Sequence, residues 1–89
     1  PDERKAAAVL FRALQEAQSA FARGDKSAPS LRDLMVRVIQ AEPLARLEYV
    51  SCADPDTLAE IEGDASPGDL LSMAVFIGKT RLIDNTLLR

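Results

Sequence analysis

Leu70-Leu71-Ser72-Met73-Ala74-Val75-Phe76-Ile77-Gly78-Lys79-Thr80-Arg81-Leu82-Ile83-Asp84-Asn85-Thr86 is the stretch that decides the fold. Leu70 to Ile77 is apolar apart from Ser72 and does not alternate, which reads as a central strand covered on both faces. Gly78-Lys79 fits the two-residue loop of a tight hairpin, with glycine supplying the positive φ that a type II′ turn needs at its first central position. Thr80 to Thr86 then returns as the partner strand, Leu82 and Asp84 on one face, Arg81, Ile83 and Asn85 on the other. Gly78-Lys79-Thr80 also matches the end of a phosphate-cradling G-x-x-x-x-G-K-[ST] loop. That loop requires a second glycine five residues earlier, where Met73 stands, and a helix afterwards, where Leu82-Ile83-Asp84-Asn85 is β-like. A P-loop is excluded.

Working upstream, Leu47, Tyr49 and Ser51 alternate with Glu48, Val50 and Cys52, the pattern of a half-buried strand. Asp54-Pro55 reads as an N-cap followed by proline at the first helical position, which predicts a short helix over Pro55 to Glu60. Glu60, Glu62 and Asp64 precede a loop at Ala65-Ser66-Pro67-Gly68. Hard cations take oxygen ligands, but the regular Asp and Gly spacing of a calcium loop is missing. A solvated acidic turn is the competing reading.

The first forty residues are helical in pattern. Leu10, Leu14, Ala17 and Phe21 repeat at i, i+4, i+7 and i+11, one face of a helix over Asp2 to Arg23. Arg12, Gln15, Glu16, Ser19 and Arg23 take the other side. Asp2 and Glu3 suit the positive N-terminal end, and Arg23-Gly24 is a stop. The run Ala6-Ala7-Ala8 either admits a close neighbour or reflects helix propensity alone. A second helix starts within Ser27-Ala28-Pro29-Ser30, with Ser30 and Asp33 spaced as a capping box. Leu31, Leu34, Met35, Val38 and Ile39 form its apolar stripe, and Pro43 ends it. The predicted architecture is α+β: a two-helix hairpin packed on a small three-stranded, mainly antiparallel sheet with a short connecting helix.

Composition removes several function classes. The 89 residues carry one cysteine, no histidine and a net charge of -3. Without histidine, Ser-His and Cys-His nucleophile pairs and the common zinc sites are absent from this chain. Cys52 has no base to activate it and reads as a small buried residue. A lone thiol forms no internal disulfide, which suits a reducing cytoplasm. Scattered Lys and Arg on an acidic chain do not make a nucleic-acid surface, so a DNA-binding reading of the helix pair is set aside. Unbroken apolar runs such as Met73 to Ile77 are too short for a membrane span. An acyl carrier would place its serine at a helix start, whereas Ser72 lies in a strand.

Three segments in order resemble one family. Met73-Ala74-Val75-Phe76-Ile77 followed by Gly78-Lys79-Thr80-Arg81-Leu82-Ile83-Asp84-Asn85 is similar to the closing hairpin of the pantoate–β-alanine ligases (pantothenate synthetases). Leu47 to Leu58, through Tyr49-Val50-Ser51-Cys52-Ala53-Asp54-Pro55-Asp56-Thr57, resembles the first strand of that family's C-terminal domain and the short helix after it. Asp2-Glu3-Arg4-Lys5-Ala6-Ala7-Ala8 resembles the domain's opening.

The resemblance implies that residues 1–89 are the C-terminal lid domain, with the N-terminal Rossmann-like catalytic domain lying outside this sequence. Family members activate pantoate with ATP and then let the amine of β-alanine attack the pantoyl adenylate. It implies ATP and Mg2+ as cofactors of the parent enzyme and none held by this segment alone. Its partners would be its own N-terminal domain and, through the parent, pantoate and β-alanine, in the cytoplasm, with no nucleic acid or membrane. No catalytic residue and no metal ligand is expected in this span, and the segment alone is expected to be inactive. Lys79, Arg81 and Asn85 are the candidates to face substrate or ATP. The competing reading has Lys79 at an exposed turn, Arg81 paired with a carboxylate such as Asp84, and Asp84 and Asn85 holding the strand end. A free-standing protein-interaction module is the alternative function.

Overall fold

A computed structural model describes residues 2–89, with side chains from Arg4 onward. The charge match expected of Asp2 and Glu3 lies outside the described side chains. The elements run α1 (Asp2–Ala22), α2 (Ala28–Gln40), β1 (Ala45–Ala53), β2 (Leu70–Ile77) and β3 (Thr80–Leu87). The three strands form one antiparallel sheet in the order β1-β2-β3. Among the described residues, no helix is long and apolar enough to cross a membrane.

α1 buries the stripe read from its period, Leu10, Leu14, Ala17 and Phe21, and adds Ala6, Ala13 and Ala20. Of the alanine run, Ala6 is fully buried, while Ala8 is exposed. The helix ends in a Schellman motif: the Asp25 N–H donates to Ala20 O and the Gly24 N–H to Phe21 O. Gly24 sits at φ 108, a conformation that a side chain would strain.

α2 begins earlier than Ser30. Ser27 is the N-cap, its Oγ accepting the Ser30 N–H at 3.2 Å, so Ser30 is the capped residue rather than the cap. The Ser30 hydroxyl turns back to donate to Asp25 Oδ2 at 2.6 Å, which ties the helix start to the interhelical link. The Ser30–Asp33 spacing misled because Pro29 is compatible with more than one position in the first turn.

The helices cover one face of the sheet, α2 over β1 and α1 over β2 and β3. Leu71, Met73, Val75 and Ile77 point from β2 into this layer against Leu31, Met35 and Ile39, all buried. Each such side chain contributes roughly 1.5–3 kcal/mol relative to exposure. The expectation that β2 is covered on both faces is half met. Its second face carries Leu70, Ser72, Ala74 and Phe76, and none of the described residues forms a layer over it. Ala74 is nevertheless buried, because its cross-strand neighbours Tyr49 and Ile83 are far larger than it is.

Two further expectations are corrected. β1 does not alternate throughout: its register slips between Leu47 and Tyr49, a bulge at Glu48. Ala45 and Leu47 face the helices before it, Val50 and Cys52 after it, so Tyr49 and Ser51 turn outward. The predicted helix over Pro55 to Glu60 is a single turn. Asp54 Oδ1 accepts the N–H groups of Asp56 and Thr57, and the Leu58 N–H donates to Asp54 O at 2.8 Å. Leu58 then enters the left-handed region at φ 63, which no helix continues through and which costs an L-residue roughly 1–2 kcal/mol.

The Gly78-Lys79 turn is as expected. Ile77 pairs with Thr80, Gly78 has φ 61, and Leu58 is the sole non-glycine with positive φ among the described residues. A type II′ turn has that combination.

Candidate functional site

The uncovered sheet face follows from the register. Strand positions of one parity make cross-strand rows on it: Arg46, Phe76 and Arg81 near the hairpin turn, then Tyr49, Ala74 and Ile83. Ser51, Ser72 and Asn85 form a polar row, and Ala53, Leu70 and Leu87 close the far end. Without the bulge, Tyr49 would point at the helices. The extra residue in β1 puts both Glu48 and Tyr49 on the open side, a re-aiming that β-bulges commonly perform.

At the turn end the face is cationic. The Arg46 guanidinium lies over the Phe76 ring, 4.9 Å from its centroid. Arg81 Nε donates to Glu48 Oε1 at 2.6 Å, with both side chains partly exposed. Lys79 stands exposed at the turn itself. Next to this end a groove of about 560 Å³ runs between Tyr49 and Ile83 on the sheet and Leu58 and Glu60 on the loop, with Ser51, Ser72 and Asn85 on its floor.

The loop wall is held by Arg32 and Glu60. Arg32 Nη1 donates to Ile61 O at 2.9 Å and lies 3.4 Å from Glu60 Oε1. Glu60 also accepts the Ser51 hydroxyl and, at 3.3 Å, the Cys52 N–H. The Glu60 carboxylate is thus taken up within the fold by Arg32, Ser51 and Cys52. Among the described residues, no three His, Cys, Asp or Glu side chains gather to hold a metal. Burial pushes the Cys52 thiol up, Asp69 adding to the shift, Arg32 opposing it and Glu60 adding a little. That thiol is neutral and enclosed on the helix side of the sheet, in keeping with a packing role. The Thr57 N–H, then that of Asp56, hold the exposed Asp54 carboxyl below the usual carboxylate range.

Arg81 and Asn85 share the open face, four residues apart on β3 with Ile83 between them. Strand rise separates them by about 13 Å, so they flank a surface rather than meet at one atom. Lys79 lies beyond Arg81. Arg81 does not pair with Asp84, which faces the helix side; Glu48 takes it instead. Asp84 Oδ1 accepts the Asn85 N–H at 2.8 Å, a local bond within β3 rather than at its end. Sequence reasoning passed over Arg46, Glu48 and Tyr49 as members of one face. Glu48 shares the parity of Arg46, but only the bulge brings Tyr49 there, and nothing in Leu47-Glu48-Tyr49 announces it.

Comparison with known proteins agrees with this fold. The pantoate-beta-alanine ligase family profile matches residues 1–87. The pantothenate synthetase of Roseiflexus sp. (strain RS-1) is 54% identical over 88 residues, covering 99% of this chain and 31% of the relative. That of Herpetosiphon aurantiacus is 51% identical over 84 residues, covering 94% of this chain and 30% of the relative. The crystal structure of pantothenate synthetase from Thermus thermophilus superposes with a TM-score of 0.90 at 30% identity, covering 99% of this chain and 31% of that one. The chain therefore spans under a third of the length of the relatives it matches. By sequence profile and by structure alike, it belongs to the pantoate-beta-alanine ligase family.

Proposed function

We propose that this chain is the C-terminal lid domain of an ATP-dependent, AMP-forming ligase that joins pantoate to β-alanine. The observation that carries this reading is the match to pantothenate synthetases along nearly the whole chain, at about half identity. The uncovered sheet face supports it, because a lid needs a surface that its own fold leaves free.

In this reaction the pantoate carboxylate attacks the α-phosphorus of ATP, and pyrophosphate leaves. The β-alanine amine then attacks the acyl carbon of the mixed anhydride, the C–N bond forms, and AMP departs. Water competes for that anhydride, so closing a domain over it protects the intermediate. The lid's share is electrostatic and steric. Arg81 and Lys79 set positive charge at one end of the closing face, where phosphate oxygens would lie, and Asn85 offers an amide donor farther along. Mg2+ accompanies ATP, but the acidic side chains here do not fit it, so its ligands belong to the nucleotide and the rest of the protein. We place the parent enzyme in the cytoplasm, with its own N-terminal domain as this chain's partner.

The test is the full-length protein from the native reading frame, supplied with pantoate, β-alanine and ATP. Stoichiometric pantothenate, AMP and pyrophosphate are expected, and none above a no-enzyme blank from residues 1–89 alone. Absence of product from the full-length protein overturns the ligase reading. Turnover by the short chain overturns the lid reading.

A further inference from the structure

Leu58 combines two unfavourable properties. It is a bulky L-residue in the left-handed region, at φ 63, and its side chain is 65% exposed. Either would be relieved by glycine or by a polar residue. The turn nevertheless enforces both: the Leu58 N–H donates to Asp54 O, the Asp54 N–H donates to Ala59 O at 2.9 Å, and Asp54 Oδ1 collects two further N–H groups. Strain that is held this firmly, in a residue whose side chain stays mostly exposed, points to a purpose outside the fold. Leu58 forms the loop-side lip of the open-face groove, opposite Tyr49 and Ile83, the latter 54% exposed.

We propose that Leu58 is a docking anchor, held out by the strained turn to enter an apolar pocket on the remaining part of the same polypeptide. The inference rests on the lid reading and adds to it the side chain that seats the lid. The relatives are about three times as long as this chain, so most of the protein is available to cover the groove. Tyr49, Ile83 and Leu58 are the apolar parts of its walls, while Ser51, Ser72 and Asn85 make its floor polar. The occupant that fits is a protein surface with an apolar pocket for Leu58 and polar groups around it, in the manner of an interdomain contact.

The experiment uses the full-length protein with Leu58→p-benzoylphenylalanine, irradiated and mapped by peptide mass spectrometry. An intramolecular cross-link to a peptide outside residues 1–89 is expected. Cross-links to a second copy, or none at all, overturn the proposal. As an independent reading, Leu58→Gly relieves the backbone strain, so folding is not at risk. It is expected to speed hydrogen exchange of the β3 amides by about tenfold or more, as losing one buried leucine contact implies. The α1 and α2 amides should be unaffected, and Leu58→Met should restore protection. Unchanged β3 exchange in Leu58→Gly also overturns the proposal. Should the wild-type protein make no pantothenate while the intramolecular cross-link forms, the ligase reading fails and the anchor stands.

Discussion

Glu48 and Arg81 meet at 2.6 Å on the open face, although they belong to strands that are not neighbours in the sheet. β2 lies between them, so the pair spans two interstrand spacings, about 9.6 Å, over Phe76. Two long side chains make that reach. The pair orients the Arg81 guanidinium on the open face, the surface proposed above to face nucleotide.

Arg81→Met in the full-length enzyme is expected to raise the KM for ATP about tenfold, the effect of losing one charge-assisted contact of roughly 1.4 kcal/mol. Folding stability should move by less than about 1 kcal/mol, because the partners are 45% and 38% exposed and water screens them. Glu48→Gln keeps the cation but loosens its aim, so KM should rise less. Steady-state kinetics beside denaturant unfolding separates the two effects. An unchanged KM in Arg81→Met would leave the pair a surface ion pair and nothing more.

Gly78→Val is expected to destabilise the protein by at least about 1–2 kcal/mol, since a side chain at φ 61 meets the left-handed penalty, and β-branching adds to it. The chemical-denaturation midpoint reports this. Lys79→Val, on the other turn residue, has no positive φ to satisfy and should cost less.

Ser27→Ala should cost about 1 kcal/mol, the usual loss for an N-cap hydroxyl. Ser30→Ala keeps the capped N–H and loses only the hydroxyl's bond to Asp25. Its unfolding midpoint should therefore fall between those of the wild type and Ser27→Ala. The reverse order would mean that Ser30 is the cap.

Two titrations have opposite signs. Asp54 has a lowered carboxyl pKa in the fold, so its contribution is complete above the ordinary carboxylate range, about pH 3.9. It is lost as the pH falls through the lower, folded value. The amide resonances of Asp56 and Thr57 should report that loss, and Asp54→Asn should remove the titration. Cys52 is shifted upward, so the fold favours the protonated thiol. Stability should decline as the pH rises through the ordinary thiol range, about 8.5, and Cys52→Ala should flatten that decline. In the native protein Cys52 should resist thiol reagents at neutral pH, and denaturant should expose it.

Legibility followed the range of the interactions. The stripe Leu10, Leu14, Ala17 and Phe21 is a statement about one helix, and its burial was legible because 3.6 residues per turn is a local constraint. The hairpin was legible for the same reason: Gly78 at the turn sets the pairing of Ile77 with Thr80, and register carries Arg81 and Asn85 to one face. The helix expected at Pro55 to Glu60 failed because capping residues specify a start and not a length. Asp54 caps one turn, after which the Ile61 N–H is taken by Cys52 O at 2.9 Å. Ser30 as cap failed by three residues, within the play that a serine-rich start allows.

By itself the sequence determined the two helices, the three strands, the hairpin register, the family, and a chain without histidine or an internal disulfide, because each rests on composition or on neighbours in the chain. Tertiary structure alone decided which face of β2 stays open and that Glu48 pairs with Arg81. It also decided that Tyr49 turns outward and that Leu58 is held exposed in a strained turn. Those outcomes depend on a one-residue slip between β1 and β2 and on hydrogen bonds that close across the loop. A period-2 pattern read along one strand has no information about where its partner adds a step.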